Sequence, residues 1–184
     1  MLFRSGDIAF HYTHIGQLKN EIEPEKPLAL ELDKKVKVLS LAKEYDVEII
    51  HLFHAAGDFR YRPQWQEGVR EVQEVSHFLP RVGMGYKSIR DDGYSVFYAS
   101  SYTFHPDRIE FGETDEKKTS STRYVLEKIN EKRTKLVVDH YIRKSLAGPL
   151  FFDLFKKRKM KKIFNRSLAN LDKVAKEIKL PGEI

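Results

Sequence analysis

The sequence contains no cysteine. Disulfides, thiol catalysis and cysteine-ligated metal are therefore excluded. A chain that folds without disulfides suits a reducing compartment, and the expected location is cytoplasmic. No apolar run approaches the roughly 20 residues of a membrane-spanning helix. Arg4 and Asp7 interrupt the N-terminus too early for a signal-peptide core. The chain also lacks a Gly-x-Ser-x-Gly elbow, a phosphate-binding loop and a dinucleotide fingerprint. Those absences remove the most recognisable hydrolase, kinase and dehydrogenase classes. Tryptophan occurs once, at Trp65.

What is present suits a single folded domain. The 184 residues are 41% hydrophobic and 33% charged, enough for one well-formed core. The net charge of +6 arises from 33 basic residues set against 27 acidic ones. The sequence pI is about 9.3, which points only weakly to an anionic partner.

"DIAFHYTHI" near the N-terminus alternates like one strand, and "NEIEPEKP" after it reads as a linker because prolines and glutamates resist regular structure. A lone strand buries no face of its own. Residues 1–33 are thus an arm, or the remnant of a preceding domain, and 34–184 the main domain. "KVKVLSLA" then alternates as a strand. In "DVEIIHLFHAAG", Ile49, Leu52, Phe53 and Ala56 recur at helical spacing, with Asp46 as the expected cap and Gly57 as the stop. From Val69 to Lys144 the pattern is strand after strand, broken by turn signals at Asp91-Asp92-Gly93, His105–Asp107 and Asn130–Arg133. Short loops between consecutive strands imply an antiparallel meander. A long final helix follows, with Met160, Ile163, Phe164, Leu168, Leu171, Val174, Ala175 and Ile178 in one stripe and Pro181-Gly182 as its end. The fold class is α+β: a curved antiparallel sheet wrapped around a long C-terminal helix, with a short helix after the first strand and room for a cavity between the layers.

Several constellations bear on function. His51, His54 and Asp58 have a spacing compatible with a metal, but the simpler reading is histidines at the edge of a helix face, and no metal or other cofactor is expected. In "YSVFYASSYTF", strict alternation places Tyr94, Val96, Tyr98, Tyr102 and Phe104 on one face, suited to core or to a cavity wall. His140 shares a strand face with Leu136, Val138 and Ile142, so it is expected inside, while Asp139 and Tyr141 face away; a His140–Asp139 dyad is geometrically poor, and a buried histidine bonded to a polar partner is the favoured reading. "KKRKMKK" spreads around most of a helix circumference and reads as a solvated face rather than a nucleic-acid site. Lys156 and Asp153 fall near the apolar stripe and are expected at the end of the cavity, paired or snorkelling outward. In "DFRYRPQWQEGV", Trp65 is expected to anchor a corner, Gly68 to let the chain turn into Val69, and Arg60 and Arg62 to be exposed flanks or gate residues.

The element order, with "DFRYRPQWQEGVREV", "LPRVGMGYKSI" and "FFDLFKKRKMKKIFNRSLANL", resembles the START-like or SRPBCC superfamily, the helix-grip fold of polyketide cyclase-like and Bet v 1-like proteins. Trp65, Gly68 and Val69, then Pro80, Val82 and Gly83, carry the resemblance, which spans about residues 34–180. "GDIAFHYTHIGQLKNEIEP" resembles the tail of a bacterial domain related to nucleotidyl cyclases, which implies a possible cyclase-like partner domain. The superfamily implies a hydrophobic or amphipathic small molecule in the sheet–helix cavity and no defined catalytic activity, since its members share no universal catalytic motif. The wall residues expected to touch it are Trp65, Tyr86, Tyr98, Tyr102, Phe104, His140, Phe152 and Phe164. Two alternatives stand beside binding: a cyclase- or hydrolase-like enzyme using His140 or a tyrosine as acid/base, and a regulatory module for the cyclase-like partner.

Overall fold

The computed structural model describes residues 32–75, 82–146 and 154–180. The expected N-terminal strand, Pro80, Phe152 and Asp153 lie outside the described residues. The elements are β1 (Lys35–Tyr45), α1 (Ile49–Gly57), α2 (Arg62–Trp65), β2 (Glu71–Glu74), β3 (Gly85–Arg90), β4 (Gly93–His105), β5 (Arg108–Asp115), β6 (Ser120–Asn130), β7 (Arg133–Arg143) and α3 (Leu154–Glu177). The seven strands form one sheet in the order β1-β7-β6-β5-β4-β3-β2, and every neighbouring pair is antiparallel. From β2 to β7 the sheet is thus a meander of consecutive strands. The pairing of β1 with β7 returns the first strand to the last.

The alternation of apolar and polar residues decides which face is inside. In β5 to β7, the cross-strand rows Ile109–Leu126–Leu136 and Phe111–Tyr124–Val138 line the inner face. These six side chains are all buried. Register shifts at Lys37/Leu39, Ala99/Ser101 and Lys128/Asn130 bend the sheet. The shift in β4 also corrects the strict alternation expected there. Phe97 and Ala99 share the inner face with Asp115 and Glu113, whereas beyond the bulge Tyr102 and Phe104 pair with Phe111 and Ile109 on that same face. Tyr98 therefore faces away from Tyr102, although both carry even numbers.

α1 begins at Ile49, and Glu48 stands at its N-cap position without a side-chain cap bond. Asp46, the expected cap, lies two residues too early and instead approaches Arg133 Nε at 3.5 Å. Thr134 Oγ1 donates to the Val47 carbonyl at 2.9 Å and pins this corner. Gly57 is the last residue of α1 without a left-handed backbone, and a Cβ there would meet the Phe53 ring at 3.2 Å.

α3 carries the expected stripe, and its two halves differ. Leu168, Leu171, Val174 and Ala175 are buried in the core against α1 and the sheet, whereas Met160, Ile163 and Phe164 are only partly covered. Mid-helix, the Leu168 carbonyl accepts from Tyr45 Oη at 2.9 Å and from Lys43 Nζ at 3.2 Å, tying α3 to β1. Leu171 is fully buried. Leu171→Ala should cost about 2–5 kcal/mol, the sum of lost transfer energy and residual cavity. The expected readout is a lower urea midpoint with an unchanged slope.

Candidate ligand-binding cavity

The segment holding Trp65 is built by two consecutive turns. The Asp58 carboxylate caps the turn Phe59–Tyr61 by accepting from the Arg60 N–H at 2.9 Å. It also holds the Arg60 guanidinium at 2.6 Å, which leaves Arg60 exposed and paired. The same pairing occupies the carboxylate that the spacing had offered as a metal ligand. Pro63 opens α2, and the helical turn carries Arg62 in a different direction from Arg60, since residues two apart on a helix point about 200° apart.

Arg62 is not an exposed flank. It is completely buried, and its guanidinium lies against four rings: Trp65 at 4.9 Å, Phe59 and Tyr124 at 5.4 Å, and Tyr86 at 5.8 Å. Its partner is Glu113, itself buried, with Nη1 at 3.2 Å from Oε1 and Nη2 at 3.1 Å from Oε2. The Tyr124 and Tyr86 hydroxyls each donate to one oxygen of that carboxylate at 2.9 Å. Burial opposes the Arg62 charge, but Glu113 and the two phenol oxygens outweigh it and raise the guanidinium pKa. Burial, then the neighbouring carboxylate, raises both phenols, so they remain protonated donors. The strand pattern contained the signal for Glu113: in "RIEFGETD" it occupies the apolar register of Ile109 and Phe111. Nothing comparable marks Arg62, whose neighbours do not alternate.

Beside this cluster lies a cavity of about 420 Å³ between the first half of α3 and the concave sheet. Phe97, Val138, Met160, Ile163, Phe164 and Leu168 supply its apolar wall. Trp65, Glu113, Thr122, Tyr124 and His140 face it as well, and Gln66, Glu67, Arg90, Ser120, Lys156, Lys159 and Ser167 complete the lining. The turn after α2 is stitched to the helix. The Glu67 N–H donates to Ser167 Oγ at 2.9 Å, and Arg166 Nη1 meets Glu67 Oε1 at 3.1 Å. Gly68 has φ +79, a left-handed conformation that lets the chain leave this contact and enter Val69.

Of the candidate wall residues, Trp65, His140 and Phe164 face the cavity. His140 sits on the inner face of β7, with Nδ1 3.0 Å from Thr122 Oγ1 and its ring 5.5 Å from that of Phe164. Burial pushes its pKa down to about 4. Tyr86 lies behind the cavity, stacked on Phe97 and bonded to Glu113. Tyr102 stacks between Phe104 and Phe111, and burial pushes its pKa up to about 12. Phe104 is half-exposed, edge-on to Phe53. Tyr98 points to the opposite face, and Phe152 lies outside the described residues. Lys156 is exposed and among the residues lining the cavity, and Asp153, its expected companion there, falls outside the described residues. Phe97, Met160 and Ile163 were missed as wall residues, Phe97 because of the bulge that follows it.

No family model and no curated protein matches the chain. Solved structures do. A hypothetical protein from Helicobacter pylori superposes with a TM-score of 0.61 at 10% identity, over 84% of this chain and 95% of that one. A START superfamily protein from Mycobacterium smegmatis gives 0.56 at 13% identity, over 77% and 98%. The di-domain ARO/CYC BexL from the BE-7585A biosynthetic pathway gives 0.57 at 13% identity, over 78% of this chain and 47% of that one. The chain has the helix-grip fold of the START-like, SRPBCC superfamily.

Two predictions follow from these groups. Glu113→Ala strands the Arg62 charge in the core and should cost about 3–5 kcal/mol in chemical denaturation. Glu113→Gln combined with Arg62→Met should recover part of that, because the amide oxygen still accepts from a phenol and no charge is left unpaired. His140 has an ordinary pKa near 6.5 when unfolded and about 4 when folded. The unfolded chain therefore binds the extra proton first, and stability should fall as pH drops from about 6.5 toward 4. His140→Gln should flatten that part of the urea-midpoint profile.

Proposed function

We propose that this chain binds a hydrophobic or amphipathic small molecule in the cavity between α3 and the concave sheet, without a defined catalytic activity. The observation that carries this reading is the cavity itself. Its volume of about 420 Å³ lies within the range of small-molecule sites, and its wall combines apolar side chains with a few polar groups. Trp65, His140 and Phe164 are the contact residues proposed from the sequence expectation, joined by Phe97, Met160 and Ile163. Tyr86 and Tyr102 support the wall from behind. The START superfamily and ARO/CYC likenesses support the fold on which the reading rests.

An acid–base enzyme is the second reading, favoured by one observation: a histidine and a carboxylate face the same cavity. The arrangement supports it poorly. Both Glu113 oxygens are occupied by Arg62 and two phenols, and a histidine with a pKa near 4 is a weak base at neutral pH. A regulatory module for a cyclase-like partner receives less support still. Among the described residues, large apolar side chains are exposed singly on different elements, such as Ile50 on α1, Val75 after β2 and Ile129 on β6.

Native mass spectrometry of the purified chain should find a retained small-molecule mass, or uptake of N-phenyl-1-naphthylamine. Ile163→Trp fills the cavity and should abolish either one while leaving the circular dichroism unchanged. Binding that persists undiminished in that variant would place the ligand elsewhere. His140→Ala should change affinity without revealing a turnover; loss of a measurable reaction with affinity intact would transfer support to the enzyme reading.

A further inference from the structure

Among the described residues, the charges that line the cavity do not cancel. Seven titratable side chains face it: Glu67, Arg90, Glu113, Tyr124, His140, Lys156 and Lys159. Both carboxylates are already matched, Glu113 by the buried Arg62 and Glu67 by Arg166. The Tyr124 phenol and the His140 imidazole are neutral at pH 7, their pKa values moved by burial away from that range. The remaining three groups are cations, and among the described residues none of them has a carboxylate partner.

Their positions are not scattered. Arg90 is the last residue of β3, at the hairpin where it pairs with Gly93. Ser120, which also lines the cavity, is the first residue of β6 at the same end of the sheet. Lys156 and Lys159 come from the first turns of α3 and are exposed. The opposite end is closed by Glu113, Tyr124, Val138 and Leu168, all buried. The cavity therefore has an apolar middle, a sealed polar floor and a rim with three cations from two different layers, none of them paired with a carboxylate among the described residues; Asp115, at the same end of the sheet, is held by Thr119 Oγ1 and by the Ser120 N–H at 2.8 Å and does not line the cavity. Of the rest of the basic run, Arg158, Lys161 and Lys162 line a shallow groove on the outer side of α3 with Asn165, Arg166 and Ala169, and Lys157 is exposed and lines neither surface.

We propose that the rim formed by Arg90, Lys156 and Lys159 is an anion site, so that the ligand is an anionic amphiphile with its head group at the rim and its apolar body against Phe97, Met160, Ile163 and Phe164. This rests on the small-molecule reading above and narrows it to one charge class. A carboxylate, sulfonate or phosphate head satisfies the same three donors. A neutral ligand of equal shape leaves them hydrated and gains only the apolar contacts. A cationic one meets repulsion from both layers.

Two dyes with a common aromatic body separate the claims. The anionic 1-anilinonaphthalene-8-sulfonate and the neutral N-phenyl-1-naphthylamine differ only in the sulfonate. In fluorescence titrations at low salt the anionic dye should bind roughly tenfold or more tightly, and the gap should narrow as salt is added. The triple variant R90Q/K156Q/K159Q should lose the gap while keeping the affinity for the neutral dye, which reports an intact cavity. The variant K161Q/K162Q, altered on the outer side of α3, should keep it. Equal affinity of both dyes for the unaltered chain overturns the anion site and leaves the cavity reading standing. A gap that survives the triple variant, or disappears in K161Q/K162Q, also overturns it. Failure of both dyes to bind removes the cavity reading and the anion site together.

Discussion

The Arg62–Glu113 pair is the constraint around which the interior is arranged. A guanidinium with no exposed surface must be neutralised where it sits, because removing a charge from water costs several kcal/mol even after relaxation. Glu113 neutralises it, and the Tyr86 and Tyr124 hydroxyls satisfy the remaining lone pairs of the carboxylate. Four elements are thereby brought into one bonded cluster: α2 through Arg62, β3 through Tyr86, β5 through Glu113 and β6 through Tyr124. The rings of Phe59 and Trp65 close over the guanidinium on the sides that no carboxylate reaches. A displacement of any one element leaves a buried donor or acceptor without its partner. The cluster therefore fixes how α2 sits over the sheet, and with it the floor of the cavity.

That arrangement also sorts the polar groups of the cavity by what they are free to do. Glu113 is the carboxylate nearest the apolar wall, yet its bonding capacity is spent within the protein. His140 offers an uncharged ring, held by Thr122. Polar groups of this kind orient a guest; they are poorly placed to move its protons. Among the described residues the cavity cations without a carboxylate partner lie at the rim, so interior and rim differ in chemistry.

Much of the fold was legible in the sequence because it depends on periods. The alternation in "RIEFGETD" and "TKLVVDHYIR" and the helical stripe from Met160 to Ile178 each state which face is buried, and the turn signals separate the strands. Legibility ended wherever a single residue breaks a period. The bulge at Ala99/Ser101 moves Tyr98 to the far face and brings Phe97 inward, and no composition rule marks that extra residue. The start of α1 at Ile49 rather than near Asp46 is a similar case, since a good capping residue was present at the wrong distance. Arg62 was the largest miss. Charged residues beside exposed ones are read as exposed, and only the cross-strand position of Glu113 reveals that a partner waits inside. Trp65, His140 and Phe164 line the cavity, whereas Tyr86 and Tyr102 stand behind it, Phe104 packs edge-on to Phe53 and Tyr98 faces away.

α3 joins two mechanical regimes without a break in its backbone pattern. From Ser167 onward it is locked by Leu168, Leu171 and Val174, and by side-chain bonds from Tyr45 and Lys43 to the Leu168 carbonyl. Before that point it crosses the cavity, where Met160, Ile163 and Phe164 are only partly covered and the Phe164 ring meets that of His140. The first few turns thus wall the cavity, while the last few seal the core. Core and cavity wall are drawn from opposite ends of one helix, and an occupant of the cavity would cover the apolar side chains that the protein itself leaves half-covered.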